Sequence, residues 1–318
     1  PMFTALKNEM YLPRGRFNIL NNYFNNGKQI SENFIKEIDI CLNCNLCKSF
    51  CPGNIDSYKI FTLIKHKFGV LNSFIPFSIK YKALMYLYKL FLSPFNKPFV
   101  KRNQKEIKNK KGKVIFFEGC YNKYINPADK NASLNIIEEC GYEIKSVIRE
   151  CCGYPYISEG NLNTFNSNMR KIENLLNSDY DYLVCSCDTC FDTLSEFASP
   201  MVKEKLVRLD EFLALNGYNL PSGINSLYFK PLNRHCSAYI PDKSVVPEEK
   251  GILSGYENFF CLKHKREFEK IVDYTSIYMQ KYSDKTVYTS CLISLRGLKK
   301  ILNDKKVYSY AEFLNLFK

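Results

Sequence analysis

Cys41, Cys44, Cys47 and Cys51 stand in the run CLNCNLCKSFCP at the spacing C-x2-C-x2-C-x3-C-P. Thiolates spaced in this way can grip a single [4Fe–4S] cube. Two residues between successive cysteines let a tight loop aim three sulfurs at one point, while backbone N–H groups face the sulfides of the cluster. Pro52 then turns the chain away. Structural zinc sites more often pair two C-x2-C hooks across a longer loop. The run therefore predicts one-electron chemistry at an iron–sulfur cube.

A second set follows: Cys120, the adjacent pair Cys151-Cys152 before Gly153, and the hook Cys187-x2-Cys190. A cubane takes four thiolates, so a fifth implies a spare redox thiol, a cluster of unusual shape or a zinc site. Buried cysteines also act as small hydrophobes. That reading suits Cys140, which ends a helix before Gly141, but not an adjacent pair. A third, sparser set comprises Cys236 beside His235, Cys261 and Cys291. Three thiols leave a metal site incomplete unless His235 or an external ligand joins.

The elements that must position these sulfurs read as alternating strands and helices from Lys113 onward. KVIFFEGC is a short buried strand ending at Cys120, and Asn126-Pro127 with Asp129 starts a helix that Gly141 stops. YEIKSVI delivers the chain to Cys151, the helical spacing of Leu162, Phe165, Met169, Ile172 and Leu176 gives a covering helix, and YDYLVC leads into the hook. Such alternation implies a mostly parallel sheet with helices on its faces, and ligands of such sheets gather at the carboxyl ends of the strands. The material then recurs: SLYFK leads towards Cys236, and KTVYTSC is a strand ending at Cys291. Cys190 and Cys291 are each followed, twenty-one residues on, by the Glu of an EFL tripeptide, Glu211 and Glu312. This predicts two copies of one unit, with Cys291 matching Cys190. The fold class expected is α/β (α+β overall). A small helical ferredoxin-type [4Fe–4S] domain (1–70) and a helical, basic linker (71–113) precede two tandem cysteine-rich α/β units, 114–217 and a degenerate 218–318.

The 318 residues carry a formal charge of +13 and fourteen cysteines. Residues 1–30 hold no continuous apolar run behind a basic start, so a reducing cytoplasm and ligand thiols, rather than disulfides, are expected. Seven of the residues from Lys101 to Lys113 are Lys or Arg, and upstream lies the apolar stretch Ala83 to Phe95 with Lys89 in its middle. The stretch falls short of the ~20 residues of a membrane span. It reads as an ordinary surface helix, with peripheral contact to the inner face of a membrane as the alternative. No nucleic-acid-binding motif accompanies the charge.

Taken together, LPRGRFNIL, CLNCNLCKSFCP, EGC at Cys120, CCGYP at Cys151, CSCDTC, HC at Cys236 and TSCLISLRGL at Cys291 resemble the iron–sulfur subunit of glycolate and lactate oxidases. That subunit lies within the group of cysteine-rich CCG-domain proteins to which heterodisulfide reductases also contribute a member. The resemblance implies electron transfer: a flavin subunit oxidises a 2-hydroxy acid and passes electrons through this chain towards a quinone or another acceptor. It further implies that Cys120, Cys151, Cys152, Cys187 and Cys190 hold a second, noncubane [4Fe–4S] cluster, which in heterodisulfide reductase relatives cleaves a disulfide. A thiol-disulfide reductase and a structural zinc protein are the alternatives. Two departures stand out. Members of the glycolate group usually carry a second cluster run before PRGR, and none precedes Pro13 here. The second CCG is reduced to Phe260-Cys261-Leu262. In two-cluster ferredoxins the fourth cysteine of such a run serves the other cube. Cys51 is therefore expected to be the ligand that its own cube needs least.

Overall fold

The computed structural model describes residues 6–27, 31–41, 46–69, 100–102, 110–218, 224–231, 248–251, 269–270, 273, 276–277, 279–302 and 306–316. Cys44, Cys236, Cys261, the stretch 83–95 and most of the basic run lie outside these residues.

The amino-terminal part is helical. Helix α1, Pro13–Asn26, begins with proline at its first turn, where the missing N–H costs no hydrogen bond, and ends on Gly27 in the left-handed region. Helices α2 (Glu32–Asp39), α3 (Leu46–Phe50) and α4 (Ser57–Ile64) follow, and α4 runs on into one wide turn, Lys65–Gly69. Leu20, Phe34, Ile38, Phe61 and Ile64 form a small core with Cys41 packed against it. The PRGR arginine, Arg16, is buried in this unit: its Nε donates to the Glu37 carbonyl at 3.1 Å and its guanidinium lies over the Phe61 ring. α1 is thereby pinned to the helix that leads into Cys41.

Two four-stranded parallel sheets make up the rest. The first has the order β2-β1-β3-β4, with β1 Gly112–Phe117, β2 Tyr142–Ile148, β3 Tyr182–Cys185 and β4 Leu206–Arg208. The second repeats that order as β6-β5-β7-β8, with β5 Ser226–Pro231, β6 Glu248–Gly251, β7 Thr286–Thr289 and β8 Val307–Ser309. Strand side chains alternate between faces, and both faces are buried, which is why β1 and β3 read as continuous apolar runs. Ile115, Phe117, Leu183, Leu227, Phe229 and Val287 share one core, whereas Val114, Phe116, Val184, Tyr228 and Tyr288 share another. Each core draws on both sheets, so the two sheets are packed as one body.

Among the described residues the remaining helices are α5 Gly119–Tyr124, α6 Pro127–Glu139, α7 Tyr154–Ser158, α8 Leu162–Leu175, α9 Asp188–Phe197, α10 Pro200–Lys205 and α11 Leu209–Leu215 in the first unit, and α12 Leu292–Ile301 and α13 Tyr310–Leu316 in the second. Two expectations need correction. β1 stops at Phe117, so Cys120 lies on α5 rather than at a strand end. The fold also equates Cys291 with Cys187, not Cys190: each caps the helix that leaves the third strand in the sheet order. The EFL count misled because the connection from Phe197 to Leu206 is three residues longer than that from Ile301 to Val307. Ser294 thus occupies the place of Cys190.

Candidate metal centre

Cys120 and Cys151 meet with their sulfurs 3.6 Å apart. The turn after β2 carries the adjacent pair, and its shape depends on Gly153, which has φ +92°. A Cβ there would stand 2.9 Å from the Phe165 ring of α8, so a side chain at this position faces both backbone strain and a clash. The Gly153 N–H points back at Cys151 Sγ at 3.5 Å, and Asn168 of α8 donates to the Cys151 carbonyl at 2.8 Å. On the other side, Gly119 has φ +67°, and a Cβ there would lie 3.0 Å from Cys190 Sγ. The bare backbone at Gly119 lets the first turn of α9 approach the start of α5.

The thiols perturb one another. The hydrogen bond from Cys151, then burial, then its negative neighbours push the Cys120 thiol well up. The bond with Cys151 does the same for Cys152, and bonds with Cys152 and Cys187 do so for Cys190. Cys120, Cys151, Cys152, Cys187 and Cys190 are therefore within mutual electrostatic reach. Cys152, Cys187 and Cys190 are buried, and Cys120 and Cys151 are half-buried at the rim. All five expected positions come together. As a donor set they suit a soft cation: buried thiols that hold each other protonated lose their protons when a positive centre is there to take the thiolates. Among the described residues, no group of three or more His, Cys, Asp and Glu side chains is already closed around a point as the ligands of a single ion would be.

Residues 114–195, which contain all five cysteines, match the family model of a cysteine-rich domain named CCG. This segment is similar to that domain, and CCG domain below denotes it. No curated protein matches the chain.

Behind the thiols of the CCG domain lies a polar layer that the sequence did not reveal. Asp129, in the first turn of α6, is 1% exposed, and its Oδ2 accepts from Asn122 Nδ2 at 2.8 Å and Ser186 Oγ at 2.7 Å. Burial pushes its carboxyl up to about 6, assisted by Glu312 and opposed by Ser309, Ser186 and Asn122. Its only sequence signal was an acid in a first helical turn, a place where acids usually face water. Next to the other sheet, Ser290 Oγ donates to Asp188 Oδ2 at 2.6 Å and lies 2.5 Å from the Tyr228 hydroxyl.

Cys291 is fully buried, and its sulfur lies 4.0 Å from the Thr189 hydroxyl. Burial first, then Cys187 and Asp188, push its thiol up. It borders the hook of the CCG domain instead of standing apart. Cys236 and Cys261, the other members of its expected set, are outside the described residues. Cys185 and Cys140 are buried, each within an apolar core.

In the amino-terminal run, Cys41, Cys47 and Cys51 are half-buried. Burial raises the Cys47 thiol, the Ser57 side chain opposes this, and Cys41 raises it further, so Cys41 and Cys47 are within electrostatic reach of each other. The Cys51 N–H donates to the Lys48 carbonyl and its own carbonyl accepts from Asn54, which folds the turn around Pro52. This unit docks on the CCG domain through Lys65, whose Nζ donates to the Ser158 carbonyl at 3.0 Å, and through His66. The His66 Nδ1 lies 2.7 Å from the Gly160 carbonyl; a carbonyl only accepts, so that nitrogen carries the proton. Among the described residues, no helix is long and apolar enough to cross a membrane.

Proposed function

We propose that the chain is an iron–sulfur electron-transfer subunit of an oxidoreductase complex. Cys41, Cys44, Cys47 and Cys51 would hold a [4Fe–4S] cube, and Cys120, Cys151, Cys152, Cys187 and Cys190 a second cluster. Such clusters supply reversible one-electron exchange; the chain supplies burial, sulfur hydrogen bonds and a fixed separation. The observation that carries the reading is the meeting of five thiols, from the segments that follow three different strands, at one end of a parallel sheet. Docking of the first unit through Lys65 and His66 onto the loop that follows the Cys151-Cys152 turn supports a relay, because it gives two centres a fixed spacing.

The finer reading is that a flavin-containing subunit oxidising glycolate or lactate feeds the chain, which passes electrons towards a quinone at the inner face of the membrane. It rests on the resemblance of the PRGR and TSCLISLRGL segments. The two sheets of equal strand order support the tandem-unit organisation, and the small helical core beside Cys41 supports a separate cube-binding unit.

One observation favours thiol–disulfide reduction as the second reading. Cys120 and Cys151 lie at the rim, half-buried, where a disulfide substrate could reach them. Anaerobic reconstitution followed by iron, zinc and sulfide analysis and EPR separates the readings. Two iron–sulfur signals without disulfide reductase activity are expected. Zinc without iron would overturn both redox readings, and disulfide turnover by the reduced protein would install the second.

A further inference from the structure

The segment that bears Cys120, at the start of α5, and the turn that bears Cys187 follow different strands, and among the described residues no backbone pairing joins them beyond the strands themselves. What bridges them is a buried carboxylate. Asn122 stands two residues after Cys120 and Ser186 stands immediately before Cys187. Both side chains donate to the same oxygen, Oδ2 of Asp129, at 2.8 and 2.7 Å, and Asn122 Nδ2 also donates to Ser186 Oγ at 3.1 Å. The three residues form a closed triangle. Asn122 is 0% exposed, Ser186 7% and Asp129 1%, so water offers no competing partner for these bonds. The second sheet backs the triangle: Ser309 reaches Asp129, and Glu312 Oε2 accepts from Asn126 Nδ2 at 3.2 Å just before α6.

We infer that Asp129 is a positioning residue for the five-thiol centre, setting the distance between α5, which bears Cys120, and the Cys187 turn through Asn122 and Ser186. The inference deepens the proposed function and rests on its assignment of these thiols as ligands. Residues that orient ligands from behind govern how well a preformed donor set closes on a metal, typically by about 10–100-fold in affinity.

The test uses cadmium alone as a soft probe, added to the reduced, iron-free full chain in which Cys41, Cys44, Cys47 and Cys51 are all replaced by Ser, and follows thiolate-to-cadmium absorption in the ultraviolet. Asp129→Ala is expected to weaken binding by about 10–100-fold. Asp129→Asn keeps an oxygen that can accept both donors and should recover most of that loss. Asp129→Ala should add little on top of the pair Asn122→Ala and Ser186→Ala, because all three act through one triangle. Ser133→Ala removes the 2.8 Å bond from Ser133 Oγ to the Asp129 carbonyl within the same helix, so it loosens α6 without touching the triangle. It should leave affinity within about twofold of the parent. Unchanged binding in Asp129→Ala, or an equal loss in Ser133→Ala, would overturn the positioning role while leaving the ligand assignment intact. A parent chain that develops no thiolate absorption would overturn the ligand assignment and this inference with it.

Discussion

The two parallel sheets have the same strand order, yet they surround their third strand with different chemistry. After β3 the chain reads Ser186-Cys187-Asp188-Thr189-Cys190, and after β7 it reads Ser290-Cys291-Leu292-Ile293-Ser294. Both segments form the same strand, turn and capped helix. The second sheet therefore shows that the scaffold folds without a C-x2-C hook. The second thiol of the hook is therefore not what this turn requires in order to fold, and Cys190 is free to be a ligand. The difference also locates the price of a site: the first sheet needs Gly153 and Gly119 in left-handed conformations to bring its sulfurs together.

The sharpest way to break this comparison is to exchange the thiols. Cys187→Ser should abolish the second cluster, leaving the iron and sulfide of a single cube per chain by chemical analysis, whereas Cys291→Ser should leave metal content unchanged. Equal losses from both would mean that the two turns serve one centre.

Next come the shared cores. Phe212 and Phe313 occupy matching places in the two EFL segments, and both are fully buried. Phe313 stacks on Tyr288 with centroids 4.1 Å apart, and Phe212 meets Tyr142 and Tyr182 edge-on. Replacing either with Ala should cost about 3–5 kcal/mol in denaturant unfolding. Because the two cores run through both sheets, each change should lower a single common transition. Two separated transitions would show that the sheets unfold independently.

A smaller effect tests how the sheets are joined at Asp129. Its carboxyl protonates more readily in the folded chain, at about 6, than the ordinary 3.8 of an unfolded one. The neutral form is thus favoured by folding, so this stabilisation is complete below the unfolded value and is lost as pH rises through 6. The loss is on the order of 3 kcal/mol. Asp129→Asn should flatten that part of the stability profile measured between about pH 4 and about pH 7. A variant that keeps the parent's full slope would assign the titration to another group, such as Asp210, which burial pushes up to about 7.

The smallest effect concerns the helix caps. At the start of α13 the Ser309 N–H donates to Glu312 and the Glu312 N–H donates to Ser309 Oγ, a reciprocal capping box. Ser309→Ala should cost about 1 kcal/mol. The corresponding position before α11 is Arg208, whose guanidinium bonds Glu211 at 2.6 Å. Arg208→Ala should cost more than Ser309→Ala, because it also leaves buried Asp210 without its 3.4 Å partner. Thermal melts of the two variants decide the ranking.

These expectations also mark what could be read in the chain beforehand. Strands β1 and β3 were legible because burial on both faces demands apolar runs, and the five thiols were legible because few other roles put cysteines next to each other. Matching Cys291 with Cys190 failed for a physical reason. Counting between two landmarks assumes connections of equal length, and α10 adds residues to only one of them. The role of Asp129 could not be read at all. Its partners Ser186 and Ser309 are distant in sequence, Asn122 lies on the preceding helix, and an acid early in a helix has the same appearance whether water or protein receives it. The PRGR segment resembles a known one, but the burial of Arg16 over the Phe61 ring depends on how α1 packs on α2 and α4, which no local pattern encodes.

The central place of β1 in its sheet has a consequence for synthesis. β1 pairs on one side with β2 and on the other with β3, so its second neighbour arrives only when Tyr182–Cys185 has left the ribosome. Cys120 emerges first of its set and Cys190 last, seventy residues later. At about 5–20 residues per second, the early thiols spend roughly 4–14 seconds exposed before the last arrives. For the last thirty-eight residues of that interval, roughly 2–8 seconds, Cys151 and Cys152 lie side by side on an unfinished chain, open to oxidants and stray metals. The order in which the protein is made thus favours a cell that keeps its nascent chains reduced, and it sets the earliest moment at which a cofactor could be closed in.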